Sequence, residues 1–260
     1  MRTLILAGLL LSLAAPVLAG PRVVSLDQCS DQYVLALADR ADIVGLSPRV
    51  RAADSYLRQQ ARGLPVHRPS LEAVIAARPQ IVVRQWEGGP RLEAALGRLH
   101  VPLATVGHAS DFDAVRRNVG TIARALGHPE RGEALIARMD GQLATAHGAW
   151  AGRAALYLTD GAFTAGKGTL VDAILRAAGL TNLARPGYSA APLERVMLNP
   201  PAVLVLGRFD TAGHGRWSPV KSPRLARAFG GVKQVELPGA LLGCPAWFAG
   251  EAVAQLAAAR

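Results

Sequence analysis

An internal repeat constrains the fold of this chain more than any other feature of its sequence. Residues 70–83 and 192–205 share the order Leu-Glu-x-Val, then a proline, then an apolar run, at one constant spacing. In each copy, Leu and Val three residues apart are typical of a short helix, the proline ends that helix, and the apolar run is typical of a buried strand. The repeat therefore predicts two similar lobes.

Short β-branched runs alternate with helical patterns along the chain, which indicates parallel strands joined by crossover helices. After Pro129, apolar residues recur at three-to-four spacing as far as Trp150, and this predicts one helix of roughly 20 residues. With 50% hydrophobic and 18% charged residues, the chain can bury a core in each of two lobes. The predicted fold class is α/β, with two lobes, each a mostly parallel sheet flanked by helices, joined by one long helix. The predicted parts are an N-terminal lobe at 20–127, a connecting helix at 128–150 and a C-terminal lobe at 151–260.

The individual elements follow from the same patterns. We predict strands at 22–26, 81–84, 103–106, 154–159, 203–206 and 232–237. We predict further helices at 30–38, 90–99, 111–126, 170–178, 193–198 and 246–259.

The first residues have the pattern of a secretory signal. Arg2 precedes an apolar run over residues 4–15, and small residues follow as far as Ala19, where a signal peptidase would cut. The run is too short to span a membrane, and no cysteine follows it to carry a lipid anchor. We therefore expect a signal peptide at 1–19, cleavage near Ala19 and a soluble exported chain, for which ATP, NADH and most nucleic acids are out of reach.

The chain is strongly basic, with 29 Lys and Arg against 19 Asp and Glu and a formal net charge of +10. Nearly all the cations are arginines, which suit the recognition of anions. No Lys/Arg run of the nucleic-acid-binding type is present, so we expect no nucleic-acid partner. Most of these charged side chains are interpreted as part of an ordinary solvated surface. The alternative is that they attract anionic ligands or lipid headgroups.

Aromatic and polar residues follow the predicted strands of both lobes. Ligands of open α/β sheets bind outside the carboxyl ends of the strands. Trp86, Phe163 and Phe209 follow strands at equivalent places in the two lobes, so facing lobes would form an aromatic-lined cleft for a flat or bulky ligand. Each aromatic taken alone would more simply anchor its own loop. The candidate ligand-binding residues are Gln28, Trp86, Glu87, Asp160, Phe163, Arg208, Phe209 and Trp217.

Other motifs argue against catalysis. Residues 161–168 come close to a phosphate-binding P-loop, but Gly168 stands where a Ser or Thr would hold magnesium, so we interpret the segment as a glycine-rich turn into a helix. Its backbone could still bind an anionic group. The histidines show no metal-ligand spacing, and no Gly-x-Ser-x-Gly elbow is present. We therefore expect neither an enzyme nor an intrinsic metal or cofactor.

Four segments together resemble the periplasmic substrate-binding proteins of ABC importers, in the helical-backbone class that serves cobalamin, ferric siderophores and haem. The segments are residues 22–26, 70–90, 166–182 and 192–206. The stretch with Trp86-x-Gly-Gly is most similar to the cobalamin-binding branch, in which the tryptophan lines the cleft. The resemblance implies a monomeric periplasmic receptor for a metal chelate: a cobalt corrinoid first, a ferric siderophore second and haem third.

Glu72 and Glu194 occupy matching positions in the two copies of the repeat. Taken alone, a carboxylate in the first turn of a helix simply suits the helix dipole. In the resembled family, one glutamate on each lobe docks into arginine pockets of the permease, and these two residues match those positions. The resemblance thus implies that they dock onto a two-fold inner-membrane ABC permease dimer, the implied partner.

Cys29 and Cys244 are the two cysteines of the chain, and an exported protein with two cysteines normally pairs them. Both could reach the cleft side, where a disulfide would tie the lobes together. The alternative is a pair of free thiols that touch a ligand or metal, which would make the chain an exported enzyme or a thiol-dependent metal- or haem-binding protein. The pair departs from the cobalamin-binding pattern and leaves the exact ligand open.

Overall fold

The computed structural model describes residues 20–209 and 222–260. The predicted signal peptide at 1–19 and the candidate ligand residue Trp217 lie outside the described residues. Within those ranges, no helix combines the length and the apolar character needed to cross a membrane.

The N-terminal lobe is built on a four-stranded parallel sheet with the strand order β2-β1-β3-β4. The central strands β1 and β3 are buried, as the apolar runs in the sequence predict. Its strands are β1 (Val23–Ser25), β2 (Ile43–Gly45), β3 (Ile81–Arg84) and β4 (Leu103–Thr105). Its helices are α1 (Gln28–Leu37), α2 (Leu71–Ala76), α3 (Gly89–Arg98) and α4 (Phe112–Ala125), with 3-10 turns at Arg40–Asp42 and Pro48–Arg51.

The C-terminal lobe repeats this plan with a parallel sheet of order β10-β9-β5-β7 and adds an antiparallel pair, β6 and β8. Its strands are β5 (Ala154–Thr159), β6 (Phe163–Ala165), β7 (Thr181–Asn182), β8 (Tyr188–Ala190), β9 (Val203–Arg208) and β10 (Lys233–Pro238). Its helices are α6 (Leu170–Ala177), α7 (Leu193–Leu198), α8 (Pro223–Ala228) and α9 (Ala249–Ala258), with a 3-10 turn at Gly239–Leu241. The predicted α/β class with two sheet-based lobes is confirmed.

The connecting helix α5 (Pro129–Ala146) packs against α4 of the first lobe and α9 of the second. Glycines allow both close contacts, because a Cβ atom at Gly132 would lie 2.5 Å from Ala123 Cβ, and one at Gly250 would lie 3.1 Å from Met139 O. The helix ends before the predicted Trp150, since Gly148 adopts a positive φ of 70° and turns the chain. Trp150 is buried and its Nε1 donates to Leu256 O at 2.8 Å, so it belongs to the C-terminal lobe.

The lobes also meet directly, where α1 packs against the residues that lead into α9. The rings of Tyr33 and Trp247 have an edge-to-face arrangement with centroids 5.6 Å apart, and the Tyr33 hydroxyl donates to Pro245 O. The rings of Tyr56 and Phe248 stack at 4.3 Å. These contacts add apolar burial to the link through α5 and fix the position of one lobe against the other.

Candidate functional site

A cavity of about 430 Å³, termed the interlobe cavity below, lies where the carboxyl ends of β1 and β3 face the C-terminal lobe. Its volume falls in the range of small-molecule sites. Most of its lining comes from the N-terminal lobe, and Phe209 and Gly243 complete it from the other lobe. The lining residues are Leu26, Asp27, Gln28, Cys29, Ser47, Pro48, Arg49, Asp54, Pro69, Trp86, Glu87, Phe209 and Gly243.

The interlobe cavity brings together four of the predicted ligand residues from the two lobes: Gln28, Trp86, Glu87 and Phe209. The other described candidates, Asp160, Phe163 and Arg208, are not part of its lining. Arg208 directly precedes Phe209, and Phe163 is 57% exposed at the start of β6. These three remain predicted ligand residues.

The tryptophan of the cavity is presented by a tightly held turn. Asp27 caps α1 by accepting from the backbone of Cys29 and Ser30, and its second oxygen accepts from Gln85 N at 2.6 Å and Trp86 N at 3.3 Å. One buried carboxylate therefore joins the start of α1 to the segment that carries Trp86. The indole itself is 59% exposed, so it is positioned by its backbone and open to a ligand.

The glycine pair of the Trp-x-Gly-Gly motif serves this turn. Gly88 has a φ of 105°, and a Cβ atom there would lie 2.8 Å from Leu26 Cδ1 and 2.9 Å from Leu92 Cδ2. A side chain would be both strained and sterically blocked at that position. The glycine of the motif therefore allows α3 to begin directly after the turn that carries the exposed tryptophan.

A polar network forms one wall of the interlobe cavity. Gln28 Oε1 accepts from Arg49 Nε at 3.1 Å and Nη2 at 2.8 Å, and its amide nitrogen donates to the backbone and side chain of Asp54. Arg49 Nη2 also lies 3.6 Å from Asp54 Oδ2, while the arginine side chain stays 63% exposed. Arg49 is a functional candidate that the sequence reasoning missed, and its guanidinium suits an anionic group on a ligand.

The residue before Phe209, which lines the cavity from the C-terminal lobe, is held by ion pairs. Arg208 Nη1 lies 2.6 Å from Asp160 Oδ1, and the same guanidinium pairs with Glu236. The hydrogen bond to Glu236, followed by the one to Asp160, raises the pKa of Arg208. Arg208 thus links the ends of β5, β9 and β10, which positions the backbone of the adjacent phenylalanine.

The cysteines are paired beside the interlobe cavity. Cys29 and Cys244 form a disulfide with an S–S distance of 2.03 Å, and Cys29 is one of the lining residues. Neither cysteine is a free thiol in the structure. The predicted disulfide is therefore present, and it joins the first helix of one lobe to the segment before the last helix of the other.

Asp31 is a fully buried carboxylate behind the cavity wall. Its oxygens accept from Ser25 Oγ, from Ser47 N at 2.9 Å and from Ser47 Oγ at 2.6 Å. Burial raises its pKa from 3.8 to about 7, the nearby Asp27 adds to that rise, and the serine hydrogen bonds oppose it. Through Ser47, a lining residue, this group supports the segment that carries Arg49.

We expect the contribution of Asp31 to the stability of the fold to fall as the pH rises from about 4 to about 7, because the raised pKa means that the folded state binds a proton at Asp31 which the unfolded chain has released. The Asp31→Asn variant does not titrate there. Its free energy of unfolding relative to wild type should therefore rise by roughly 2–3 kcal/mol between pH 5 and pH 8. Denaturant unfolding of both proteins at the two pH values measures this, and a pH-independent difference would show that Asp31 keeps its charge when buried.

The glutamates of the repeat lie at equivalent places. Glu72 is in the first turn of α2, which precedes β3, and Glu194 is in the first turn of α7, which precedes β9; both are exposed. A crossover helix runs antiparallel to the strand it precedes, so both first turns lie towards the carboxyl ends of the strands. Pro69, just before α2, lines the interlobe cavity. Docking by the two glutamates remains a prediction.

Comparison with known proteins gives a consistent result. Residues 23–211 match the family model described as periplasmic binding protein. A periplasmic haem-binding protein from Pseudomonas aeruginosa is 26% identical, with 92% of each chain covered and a TM-score of 0.70. One from Roseiflexus sp. RS-1, in apo form, is 24% identical, with 92% of this chain and 97% of that chain covered and a TM-score of 0.70.

A vitamin B12-binding protein from Vibrio cholerae shares the fold at 16% identity, with 92% of this chain and 96% of that chain covered and a TM-score of 0.65. The search of curated protein sequences gives no match. Among the residues described in both lobes, no three His, Cys, Asp or Glu side chains are grouped to hold a metal ion.

Proposed function

The chain belongs to the periplasmic binding protein family, and from this premise we propose that it binds a metal chelate, a cobalt corrinoid first, in the interlobe cavity and delivers it to an ABC-type inner-membrane importer. Proteins of this family are binding proteins that work with an ABC permease and a small-molecule ligand. Its similar structures include proteins for haem and for vitamin B12.

The observation that carries the proposal is that Trp86 and Phe209, from opposite lobes, line one cavity. Aromatic faces on two sides suit a flat macrocycle, because stacking adds to the burial of apolar area. Their backbones are held by Asp27 on one side and by the Arg208 ion pairs on the other. A largely preformed site of this kind loses little free energy to ordering when the ligand binds.

The exposed guanidinium of Arg49 supports a ligand with an acidic substituent. Gln28 holds two of its nitrogens through a neutral amide, so its positive charge is only partly offset, by Asp54 at 3.6 Å. An arginine of this kind can bind a phosphate or a carboxylate with paired hydrogen bonds. Corrinoids with a nucleotide loop carry the first group, and haem carries the second.

Specific observations support two ligand classes, a corrinoid as the first candidate and haem as the second. The Trp86-x-Gly-Gly turn supports a corrinoid, through the resemblance to the cobalamin-binding branch. Haem is the second candidate, supported by the similarity to the haem-binding protein of Pseudomonas aeruginosa. A ferric siderophore, which the resemblance alone ranks second, comes third here, because the similar structures named above are those of proteins for haem and vitamin B12.

The test is a calorimetric titration of the purified mature chain with cobalamin, cobinamide, haem and several ferric siderophores. We expect a corrinoid to bind most tightly, with one chelate per chain. If haem binds most tightly, haem replaces the corrinoid as the proposed ligand. Failure of every chelate to bind would contradict the proposed receptor function.

Replacing Trp86 with Ala should weaken binding of the tightest chelate by ~1 kcal/mol or more, about fivefold, because one stacking face of the site is lost. Trp86→Phe keeps a ring at this position and should retain most of the affinity. Calorimetry on the three proteins gives the comparison. Equal affinity for all three would remove Trp86 from the site.

A further inference from the structure

A second cavity of about 380 Å³ lies inside the C-terminal lobe and shares no lining residue with the interlobe cavity. We call it the C-lobe cavity. It is bounded by β5, by the antiparallel pair β6 and β8, by the chain after β7, and by α7. Its lining residues are Leu156, Thr164, Leu183, Ala184, Arg185, Ser189, Ala190, Pro192, Arg195, Val196, Asn199 and Pro201.

The inner end of the C-lobe cavity contains an unsatisfied hydroxyl. Thr164 is 1% exposed, and in the described part of the chain its Oγ1 has no hydrogen-bond partner. A buried hydroxyl without a partner costs free energy, so such atoms in folded proteins nearly always meet a protein group, a water molecule or a ligand. Thr164 Oγ1 can both donate and accept, and it therefore suits a polar group on a bound molecule.

The outer end is positively charged. Arg185 and Arg195 both line the cavity and are exposed, and within residues 20–209 and 222–260 neither guanidinium forms a side-chain hydrogen bond or an ion pair. Glu194 adjoins Arg195 in the sequence but is not part of the lining. The rest of the lining is mainly apolar, with Leu156, Val196 and neighbouring alanines and prolines, and it includes the polar side chains of Ser189 and Asn199. The cavity thus has a polar inner end, an apolar middle and a cationic entrance.

We propose that the C-lobe cavity is a binding site for a small aromatic carboxylic acid with a hydroxyl group at the end of the ring opposite the acid. The ring would occupy the aliphatic middle, the hydroxyl would exchange a hydrogen bond with Thr164, and the carboxylate would bind Arg185 and Arg195. The site is independent of the interlobe cavity, so the proposal stands whichever chelate the protein binds.

The probes are para-hydroxyphenylacetate, phenylacetate, which lacks the hydroxyl, and para-hydroxyphenylacetamide, which lacks the charge. Each is titrated into the full mature chain and followed by ligand-observed NMR and calorimetry. We expect the hydroxy acid to bind at one site and each of the other two to bind about fivefold or more weakly, since each lacks one hydrogen-bonding end.

The variants assign the site. Thr164→Val keeps the side-chain shape and should remove the preference for the hydroxy acid over phenylacetate. The double variant Arg185→Ser/Arg195→Ser should remove the preference for the acid over the amide. Arg98→Ser, at an exposed arginine of α3 in the other lobe, is the control for loss of a positive charge and should change neither preference. A protein that binds none of the probes, or a Thr164→Val variant with an unchanged preference, would overturn the proposal.

Discussion

Replacing both Cys29 and Cys244 with Ser is expected to lower the free energy of unfolding by about 3–5 kcal/mol. The disulfide closes a loop with a sequence separation of 215, and closing so long a loop removes much of the conformational entropy of the unfolded chain. For a chain of this size, the loss corresponds to a fall in melting temperature of roughly 10 °C. The double variant leaves no unpaired thiol that could react.

Denaturant unfolding of the variant, of oxidised wild type and of wild type in reducing agent measures the effect. Reduced wild type is the matched control and should unfold like the double variant. The two should also bind the chelate more weakly, because Cys29 lines the interlobe cavity and the disulfide holds Gly243 of the other lobe against it. Equal stability of all three proteins would mean that α5 and the aromatic contacts around Tyr33 and Trp247 hold the lobes together without the disulfide.

The double variant Glu72→Arg/Glu194→Arg is expected to abolish uptake of the chelate and to leave its affinity for the purified protein within about twofold. A like charge placed against a cationic docking site costs several kcal/mol, so a change of sign on both lobes should prevent assembly with the permease. The fold should tolerate the two substitutions, because each first-turn carboxylate contributes only ~0.3–1 kcal/mol to the stability of its helix.

Uptake is measured in cells that contain the matching importer, beside calorimetry on the purified variant. Glu133→Arg, at an exposed site on α5, is the control for a change of charge elsewhere and should transport normally. Normal uptake by the double variant would contradict docking through these two residues. Loss of both chelate affinity and uptake would instead indicate that the substitutions damage the interlobe cavity.

The sequence repeat was sufficient to predict the plan of the fold because it marks the same unit twice. In both copies, the apolar run forms a central strand, β3 or β9, whose burial on both faces requires an uninterrupted apolar segment. The helix before each strand also has the predicted place, and α7 has the predicted bounds. Two features of the pattern, the Leu-x-x-Val pair and the proline, thus carry most of this information.

The elements that the sequence did not predict depend on their neighbours in space. β7 consists of Thr181 and Asn182 and exists because these residues pair with Ala154 and Ala155 of β5. The pair β6 and β8 forms across a glycine-rich segment, in which a Cβ atom at Gly166 would collide with Arg185 O. Segments of two or three residues carry no periodicity that could be recognised without their partners.

The candidate site was predicted in part. The rule that ligands meet the residues just after parallel strands predicts Gln28, Trp86, Glu87 and Phe209, which line the interlobe cavity. The same rule predicts Asp160, Phe163 and Arg208, which do not line it. Arg49 was missed because β2 was not predicted. The signal was present in the sequence: the apolar run at 43–46 is followed by Ser-Pro, which is typical of a strand end and a turn.

A crystal structure of the protein with the chelate that binds most tightly in calorimetry tests the central claim most directly. The predicted result is one chelate enclosed by both lobes, with its flat face against Trp86, Phe209 on the opposite side and an acidic substituent near Arg49. A chelate bound on the outer surface of a single lobe, with the interlobe cavity left to solvent, would contradict the account.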